Sequence, residues 1–348
     1  LSAMREASMY HITVKGGKFL EAVAQADTIV FDKTGTLTHA CPVVAKVIPF
    51  GGRSEDDMLR VAACLEEHFP HSMANAVVRA ARERNLAHEE MHSQVEYIVA
   101  HGISSMVENK NVVIGSAHFI FEDEKCTVPV GEQEKYDALP VEFSHLYLAI
   151  GGELAAVICI ADPLRPEACD VMKALRALGI QRTVMLTGDS ERTAAAIAAE
   201  VGVDDYRAEV LPEDKANFVE QERAAGHTVI MLGDGINDSP ALSAANVGVA
   251  ISDGAAIARE IADITIAAEN LFELVALRRI AQCLMSRINS NYRFVIGFNG
   301  SLIGLGVTGV LAPATSAMMH NLSTLGISLR SMTNLIDSSE TTRLLESR

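Results

Sequence analysis

The heptapeptide that begins at Asp32 is the feature of this sequence that most directly indicates chemistry. Asp32-Lys-Thr-Gly-Thr-Leu-Thr38 follows the apolar run Thr28-Ile-Val-Phe31 without a gap. A carboxylate at the end of a buried strand is costly unless a cation or a reaction stabilises it. Gly35 and the threonines predict a tight turn whose N–H and hydroxyl donors suit a phosphoryl group. An aspartate that caps the next helix would explain Asp32 alone, but not the whole heptapeptide.

Two further polar segments also come directly after apolar runs. They are Thr187-Gly-Asp189 and Gly233-Asp-Gly-Ile-Asn-Asp238. Asp234, Asn237 and Asp238 supply two carboxylates and an amide, the hard oxygen ligands that Mg²⁺ prefers. The second segment is similar to the GxGxxG loop of dinucleotide-binding proteins. Asp238 replaces the third glycine, however, and its charge would repel a pyrophosphate, so we reject a dinucleotide site.

A hydroxyl and a cation complete the set of candidate groups. Thr187 can donate a hydrogen bond to a phosphate oxygen. Lys215, in Leu-Pro-Glu-Asp-Lys, begins a predicted helix and could reach the same place, although a single lysine at a helix start is usually just solvated. The sequence contains no GxxxxGK[ST] loop, so ATP would not be bound as in P-loop proteins.

The elements that must position these segments are strands of a parallel sheet. Apolar runs of four or five residues alternate with helical patterns, which predicts a parallel sheet with helices on both faces. Ligands bind at the carboxyl ends of such strands, where the polar segments lie. The stretch between the first strand and the next has helices of its own, from about Ser54 and over Ser72 to Glu83, and then short strands. We therefore predict an α/β domain with a second, α+β domain inserted into it.

Composition excludes several classes of function. The chain has 348 residues and a net charge of −16, so a nucleic acid is not an expected partner, because phosphate binding needs basic patches. The six cysteines are scattered and include no CxxC pair. This pattern argues against a disulfide framework or a structural zinc site and fits a reducing cytoplasm.

The last part of the chain is the most apolar. Tyr292 to Leu311 is about as long as one bilayer crossing, and a second, more polar segment runs from Ala314 to Ile336. Basic residues precede the first segment and place its start on the cytoplasmic side. We predict two transmembrane helices here, and hence an integral protein of the cell membrane whose catalytic domains are cytoplasmic. A buried helical hairpin of a soluble protein is the alternative.

The three motifs together, in this order and around an insertion, resemble those of the P-type ATPases, which are built on the haloacid dehalogenase fold. The resemblance implies that Asp32 accepts the phosphoryl group from ATP and binds Mg²⁺ together with Thr34 and Asp234. It implies catalytic roles for the other residues of these motifs and for the cation: Lys33, Thr187, Gly188, Asp189, Lys215, Asn237 and Asp238.

Thr34 separates this sequence from the phosphatases of the same superfamily. Those enzymes carry a second aspartate two residues after the nucleophile, as the acid and base of hydrolysis. Thr34 occupies that position here. Without this base we expect the aspartyl-phosphate to persist, which a pump requires and a phosphatase does not.

The insertion resembles the nucleotide-binding domain of the metal-transporting branch. Glu66-Glu-His-Phe-Pro-His-Ser-Met-Ala74 is similar to the His-Pro locus of that branch, with serine where proline is usual. The resemblance implies that Glu66 and His71 contact ATP, and His68 is a competing candidate for the histidine. Ala100-His-Gly102 is similar to the Gly-x-Gly adenine loop, with alanine for the first glycine, which implies an ATP contact at Gly102. A helix-capping or surface histidine is the alternative for His71.

The predicted membrane segments carry one candidate ligand of a transported ion. Ser316, His320, Thr324 and Ser328 are four residues apart and would share one helical face. An intramembrane histidine is a functional candidate, and imidazole suits Zn²⁺-like ions. Hydrogen bonding between the two helices is an equally good explanation of His320.

The complete prediction is a catalytic fragment of an ATP-driven transition-metal cation pump, with Zn²⁺ or Cd²⁺ export as first choice and Mn²⁺ or a copper ion as the alternative. Upstream transmembrane helices and an actuator domain are expected to precede Leu1. Rival hypotheses are a soluble phosphatase of the haloacid dehalogenase type and a silent nucleotide-binding regulator. The predicted organisation is the end of a membrane helix or a linker (1–14), a phosphorylation domain in two parts (15–41 and 153–288), a nucleotide-binding domain (42–152), two transmembrane helices (289–336) and a tail (337–348).

Overall fold

The computed structural model describes residues 2–39, 42–67, 72–86, 96–98, 102–107, 110–141, 143–234, 238–251, 260–267 and 270–336. The helices of this part of the chain are α1 (Ser2–Met9), α2 (Gly17–Gln25), α3 (Glu55–Glu66), α4 (Ser72–Glu83), α5 (Gln133–Asp137), α6 (Ala168–Ala177), α7 (Glu191–Val201), α8 (Pro212–Ala224), α9 (Ser239–Ala244), α10 (Phe272–Val307) and α11 (Pro313–Ser331).

The strands are shorter and fall into two sheets. They are β1 (Thr13–Val14), β2 (Thr28–Asp32), β3 (Val43–Pro49), β4 (Glu96–Ile98), β5 (Gly102–Val107), β6 (Lys110–Gly115), β7 (Ser144–Ile150), β8 (Glu153–Ala161), β9 (Arg182–Leu186), β10 (Asp205–Arg207), β11 (Val229–Gly233), β12 (Val247–Ile251) and β13 (Ile264–Ile266). The chain divides into two compact units. The first unit comprises Leu1–Val30, Asp170–Arg182 and Ala216–Arg348, and the second comprises Phe31–Cys169 and Thr183–Lys215.

The larger sheet has seven strands in the order β1-β13-β12-β11-β2-β9-β10. In the first unit, β11, β12 and β13 pair in parallel, and β1 adds an antiparallel edge. In the second unit, β9 and β10 also pair in parallel. Every residue of β2, β11 and β12 is buried, as expected for strands that are covered on both faces. The predicted α/β fold with a parallel sheet is therefore confirmed.

The smaller sheet lies in the second unit and is antiparallel, with the strand order β3-β8-β7-β6-β5-β4. Helices α3 and α4 pack on one face of it, around a core that includes Leu59, Ala62 and Leu148. Ser54 caps α3 by accepting a hydrogen bond from the N–H of Asp57, which explains why the helix begins there.

Strand β8 lies in this smaller sheet, although the sequence assigns residues 153–161 to the phosphorylation domain. Gly151 and Gly152 both have positive φ angles, of 64° and 85°. This conformation is the hairpin turn that matches the twist of two antiparallel strands, and it joins β7 directly to β8. The glycine pair therefore marks a hairpin within the sheet, and the chain leaves the sheet only after Ala161.

The C-terminal part of the described chain is a pair of long helices, α10 and α11, which pack against each other. The first turns of α10 are buried, with Leu274, Leu277 and Ile280 fully covered, and they pack on α2. Among the residues that the structure describes, no helix is both long enough and apolar enough to cross a membrane. The two predicted transmembrane helices are thus present as helices but are not confirmed as membrane spans, since polar residues such as Arg293, Asn299 and His320 interrupt their apolar stretches.

Candidate active site

A buried strand brings Asp32 to its position, and a strained turn follows directly. Asp32 is the last residue of β2 and is only 5% exposed. Gly35 has a φ angle of 76°, a left-handed conformation in which a side chain would be strained. Its N–H donates to the Thr38 hydroxyl oxygen at 2.9 Å, which closes the turn. Thr34, inside the turn, is partly exposed.

Arg165 fixes the backbone of this turn from the other side. Its guanidinium is buried and donates from Nε to the carbonyl oxygens of Thr36 and Thr38, at 2.9 Å and 3.2 Å. The backbone N–H of Arg165 donates to the carbonyl oxygen of Leu37 at 2.8 Å. One buried arginine therefore satisfies several carbonyls of the catalytic turn, and sequence reasoning did not single it out.

The carboxylate of Asp32 is paired with a lysine. The Lys215 ammonium donates to Oδ1 of Asp32 at 2.6 Å, and both side chains are at most 10% exposed. Lys215 lies in the first turn of α8, so the sequence prediction of a lysine at a helix start agrees with its position. Removing two charges from water costs several kcal/mol for each ion, so such a pair is weak evidence for stability alone. A buried aspartate–lysine pair at a strand end is a candidate for chemistry.

A second lysine–aspartate pair lies beside the first. The ammonium of Lys33 donates to Oδ2 of Asp189 at 2.6 Å. Thr187 donates from its hydroxyl to the same oxygen at 3.1 Å. Burial raises the pKa of Asp189, but the charge of Lys33 and the hydrogen bonds from Lys33, Ser144 and Thr187 outweigh it, so the pKa lies below its usual value. Asp189 is therefore held as an anion at the end of β9.

Two further residues contact Lys33, and sequence reasoning missed both. Ser144, the first residue of β7, accepts a hydrogen bond from the Lys33 ammonium at 3.2 Å. Asp162 follows β8, and its carboxylate lies 3.8 Å from the same nitrogen. Burial raises the pKa of Asp162, and the attraction of Lys33 only partly opposes this. An aspartate directly after an apolar strand was the signal that identified Asp32, and the same signal was available for Asp162.

The third motif lies in the first unit. Asp238 is 1% exposed, and its Oδ2 accepts a hydrogen bond from the N–H of Asp234 at 3.3 Å. A side chain on Gly233 would lie 2.3 Å from that oxygen, so only glycine fits there. Asp234 itself is partly exposed at the end of β11. Asn237 lies outside the described residues.

The donor set fits Mg²⁺. Among the described residues, no group of three or more His, Cys, Asp or Glu side chains could hold a metal ion. Mg²⁺ does not require such a cage, because it usually binds one or two carboxylates, waters and substrate phosphates. Asp32 in the second unit and Asp234 in the first are each a carboxylate at the end of a strand, and each is an oxygen donor of this kind.

The residues expected to bind ATP are described in part. Glu66 is 2% exposed at the end of α3. It lines a cavity of about 310 Å³ between α3 and α4, together with Glu67, Asn75, Val78, Arg79 and Arg82. His71 and its competitor His68 lie outside the described residues. A side chain on Gly102 would lie 2.4 Å from the carbonyl oxygen of Ile114, so close packing of β5 already requires glycine there.

The remaining predicted site residues are less constrained. Gly188 is exposed, has no positive φ, and a side chain on it would meet nothing closer than 3.9 Å. His320 is exposed on α11, and its Nδ1 lies 2.9 Å from Oδ1 of Asn299 on α10. The sequence left two explanations of His320 open, an ion ligand or a hydrogen bond between the two helices, and this contact is of the second kind.

The second unit thus holds two buried groups next to each other in the chain at Asp32 and Lys33: the pair Asp32–Lys215, and Asp189 with its donors Lys33 and Thr187. The chain belongs to the haloacid dehalogenase-like hydrolases, whose family model matches residues 26–246. The similar proteins described next belong to a smaller group, and they confirm the resemblance to the metal-transporting P-type ATPases.

Two curated relatives and one solved structure illustrate the likeness. The chain is 37% identical over 319 residues to the manganese-exporting P-type ATPase of Mycobacterium leprae, which covers 91% of this chain and 44% of the relative. It is 36% identical to the zinc-exporting P-type ATPase of Mycobacterium marinum, over 91% and 43%. The crystal structure of a zinc-transporting PIB-type ATPase in the E2.Pi state superposes with a TM-score of 0.67 at 30% identity, over 95% of this chain and 53% of that one. The chain spans less than half the length of these curated relatives.

Proposed function

We propose that this chain is the catalytic part of an ATP-driven transition-metal cation pump, which is phosphorylated on Asp32. The observation that carries the proposal is the buried contact of 2.6 Å between the Asp32 carboxylate and the Lys215 ammonium at the end of β2. The nucleophile and a cation able to neutralise a phosphoryl group are thereby held together before any substrate binds. The names of the relatives support the same reaction class.

The reaction is phosphoryl transfer by in-line attack. A carboxylate oxygen of Asp32 forms a bond to the γ-phosphorus of ATP while the bond from that phosphorus to the bridging oxygen breaks, and ADP leaves with the electron pair. Lys215 neutralises charge on the transferring group, and Thr187 donates a hydrogen bond to it. Asp32, Thr34 and Asp234 would hold Mg²⁺, which would supply further charge neutralisation. Asn237, Asp238 and Gly188 support these groups.

Hydrolysis of the resulting aspartyl-phosphate needs a base that the catalytic turn lacks. Thr34 stands where the related phosphatases carry an aspartate, and a threonine hydroxyl does not activate water at neutral pH. The phosphoenzyme therefore persists long enough to be coupled to another event. This feature favours a pump over a soluble phosphatase.

The nucleotide is proposed to bind on the six-stranded sheet of the second unit. Glu66 lines the cavity between α3 and α4, where Arg79 and Arg82 add positive charge. His71, or His68 in its place, and Gly102 complete the proposed site. The γ-phosphate of ATP bound there can react with Asp32 only if the six-stranded sheet and the turn that begins at Asp32 act together in the reaction.

The transported ion and the membrane location are further parts of the proposal. Zn²⁺ or Cd²⁺ is our first choice, with Mn²⁺ or a copper ion as the alternative, and His320 is a candidate ligand. The helical pair α10–α11 exposes large apolar side chains, among them Tyr292, Ile303, Val307 and Leu325. Leaving these in water is unfavourable, so we propose that this pair lies in the cell membrane with the upstream helices, while both catalytic parts are cytoplasmic.

Fluorescence can test the membrane location, because the chain has no tryptophan. Ile303→Trp places one on the exposed surface of α10, where Ile303 is 68% exposed. Val130→Trp is the matched control, on an exposed loop of the second unit. After reconstitution with brominated lipid, the first variant should be quenched and the second should not. Equal emission from both variants would contradict the membrane location.

Covalent labelling tests the reaction itself. The 348-residue chain is incubated with γ-labelled ATP and Mg²⁺, quenched in acid and treated with hydroxylamine. A label that is stable in acid and released by hydroxylamine is the expected acyl phosphate. Rapid turnover of simple phosphomonoesters without such a label would favour the phosphatase, and nucleotide binding without any label would favour the silent regulator.

A further inference from the structure

Ser144 connects the six-stranded sheet to the catalytic loops. It is the first residue of β7, and its side chain is buried. Its hydroxyl oxygen accepts a hydrogen bond from the Lys33 ammonium at 3.2 Å, and the same ammonium donates to Oδ2 of Asp189 at 2.6 Å. Lys33 therefore connects Ser144 to this ion pair.

The ion pair that Ser144 contacts through Lys33 is of the kind that needs further hydrogen bonds. Lys33 and Asp189 are in contact at 2.6 Å, with side chains only 4% and 12% exposed. A buried pair of this kind offsets its loss of hydration only if further hydrogen bonds satisfy its remaining protons and lone pairs. Thr187 supplies one of these to Asp189, and Ser144 supplies one to Lys33.

The segment that precedes β7 is held in the same place by independent contacts. Arg192, near the start of α7, donates to the carbonyl oxygen of Asp137 at 2.9 Å. Thr193 donates from its hydroxyl to the carbonyl oxygen of Phe143 at 3.2 Å. The residues that follow Asp189 therefore bind the backbone directly before Ser144. The backbone before Ser144 is thus held by α7, and the Ser144 hydroxyl itself is held by Lys33.

We propose that Ser144 is a positioning residue for phosphoryl transfer: it orients Lys33, and through Lys33 the carboxylate of Asp189 and the turn that begins at Asp32. The inference rests on the proposed function and adds a residue from the nucleotide-binding sheet to the phosphorylation site. Lys33 is the direct chain neighbour of the nucleophile, so a displaced ammonium displaces the backbone that carries Asp32. Phosphoryl transfer is sensitive to such displacements, because its catalysis depends mainly on position and charge.

The test separates the rate of the chemical step from nucleotide affinity. Ser144→Ala should slow phosphoenzyme formation from ATP at saturating nucleotide by about ten- to a hundred-fold, the effect of losing a hydrogen bond to a charged group. The dissociation constant for ATP, measured with Mg²⁺ omitted, should stay within about two-fold of the unmodified chain, since Ser144 does not touch Glu66 or its cavity. Ser144→Thr keeps the hydroxyl and should restore most of the rate.

Ser105→Ala is the matched control, because Ser105 is a buried serine on β5 of the same sheet. It should leave the phosphorylation rate unchanged. If Ser144→Ala does not fold, Ser144→Cys keeps the side-chain volume while weakening the hydrogen bond, and it should show the same loss of rate. A Ser144→Ala or Ser144→Cys chain that is phosphorylated as fast as the Ser105→Ala chain overturns the inference while the proposed function stands. Failure of the unmodified chain to form any phosphoenzyme overturns both.

Discussion

The loops around Asp32 in the second unit and the helical pair α10–α11 in the first unit differ in which side chains they bury: the loops bury charged groups, and the helices expose apolar ones. Around Asp32 the charged groups are buried, and each pair is joined within 2.6 Å. On the helical pair, large apolar side chains such as Ile303 and Val307 are mostly exposed, and polar residues such as His320 and Asn299 contact each other across the helices.

The contrast shows which parts of the proposed function this chain can carry alone. The second unit contains both the proposed nucleophile, Asp32, and its counter-charge, Lys215, so the proposed chemical step can be tested on this chain. The exposed apolar surface of α10 and α11 needs a cover that the described residues do not supply. Phosphorylation and ion transport should therefore be separable in experiments, and the predictions below test the catalytic side of this comparison.

Replacing the nucleophile should have the largest effect. Asp32→Asn should abolish covalent labelling by ATP and Mg²⁺, because the amide has the same shape but is not nucleophilic. Nucleotide binding should survive, and acid-quenched gels measure the label. Asp170→Asn, at an exposed aspartate of α6 that forms an ion pair with Lys173 at 2.8 Å, is the control and should label normally. A hydroxylamine-sensitive label in the Asp32→Asn chain would exclude Asp32 as the acceptor.

The lifetime of the phosphoenzyme is the next largest effect. A general base contributes roughly a hundred- to ten-thousand-fold, so the phosphoenzyme of this chain should outlive that of a related phosphatase by a comparable factor. Thr34→Asp should shorten it if the new carboxylate reaches an in-line water, whereas Thr34→Asn, similar in shape but not basic, should not. A chase of labelled protein with unlabelled ATP measures the decay. Rapid decay in the unmodified chain would reveal a base elsewhere.

Loss of the cation beside the nucleophile should be less severe. Lys215→Met keeps most of the side-chain volume but leaves the transferring group without its ammonium, and we expect phosphorylation to slow by about a hundred- to a thousand-fold. Lys173→Met removes an exposed lysine and serves as the control. Single-turnover labelling gives both rates. Equal rates in the two variants would mean that Lys215 has no part in the chemical step.

The catalytic turn itself offers a test by stability. Gly35→Ala forces a side chain into a backbone with φ of 76° and should cost about 1–3 kcal/mol in the free energy of unfolding. Gly188→Ala should cost much less, since its φ is not positive and no atom lies closer than 3.9 Å to the added carbon. Urea titrations compare the two variants. Similar losses would show that the turn adapts without strain.

The smallest expected effect concerns pH. Burial raises the pKa of Asp162, so the folded chain retains this proton at pH values where the unfolded chain has lost it. Stability is therefore lost as pH rises from about 3.8 through the raised pKa. Asp162→Asn lacks this proton, so its stability relative to the unmodified chain should increase over the same interval. Urea midpoints between pH 4 and 7 measure the difference, and a constant difference would contradict the raised pKa.

Local sequence was enough to predict the parallel sheet and the ends of its strands. Asp32, Thr187 and Asp234 each follow an apolar run, and the structure places each of them at the end of a strand. Lys215 was predicted from its helix start and lies 2.6 Å from Asp32. These predictions succeeded because a polar residue after a buried strand must be satisfied at one edge of a sheet.

Ser144 and Arg165 could not be predicted in the same way. Ser144 is separated from Lys33 by 111 residues, and a serine at a strand start carries no local signal of its own. Arg165 holds the turn through backbone carbonyls, which any sequence would present. Strand β8 continues the smaller sheet beyond Gly152, because a glycine pair can mark a hairpin turn as well as a domain crossing. Contacts between distant segments decided the cases of Ser144 and Arg165.

Helix α10 has a mechanical consequence. It runs without a break through 36 residues and contains no proline, which makes it a rod of about 54 Å. Its base is anchored, because buried Arg278 binds the carbonyl oxygens of Val23 and Leu178, and Gln282 binds the latter at 2.7 Å. A small rotation of that base would become a displacement of several ångströms at Val307. The buried first turns of the helix pack within the first unit, and its later part carries the exposed apolar surface. A rotation of the first turns would therefore move this apolar surface over a larger distance.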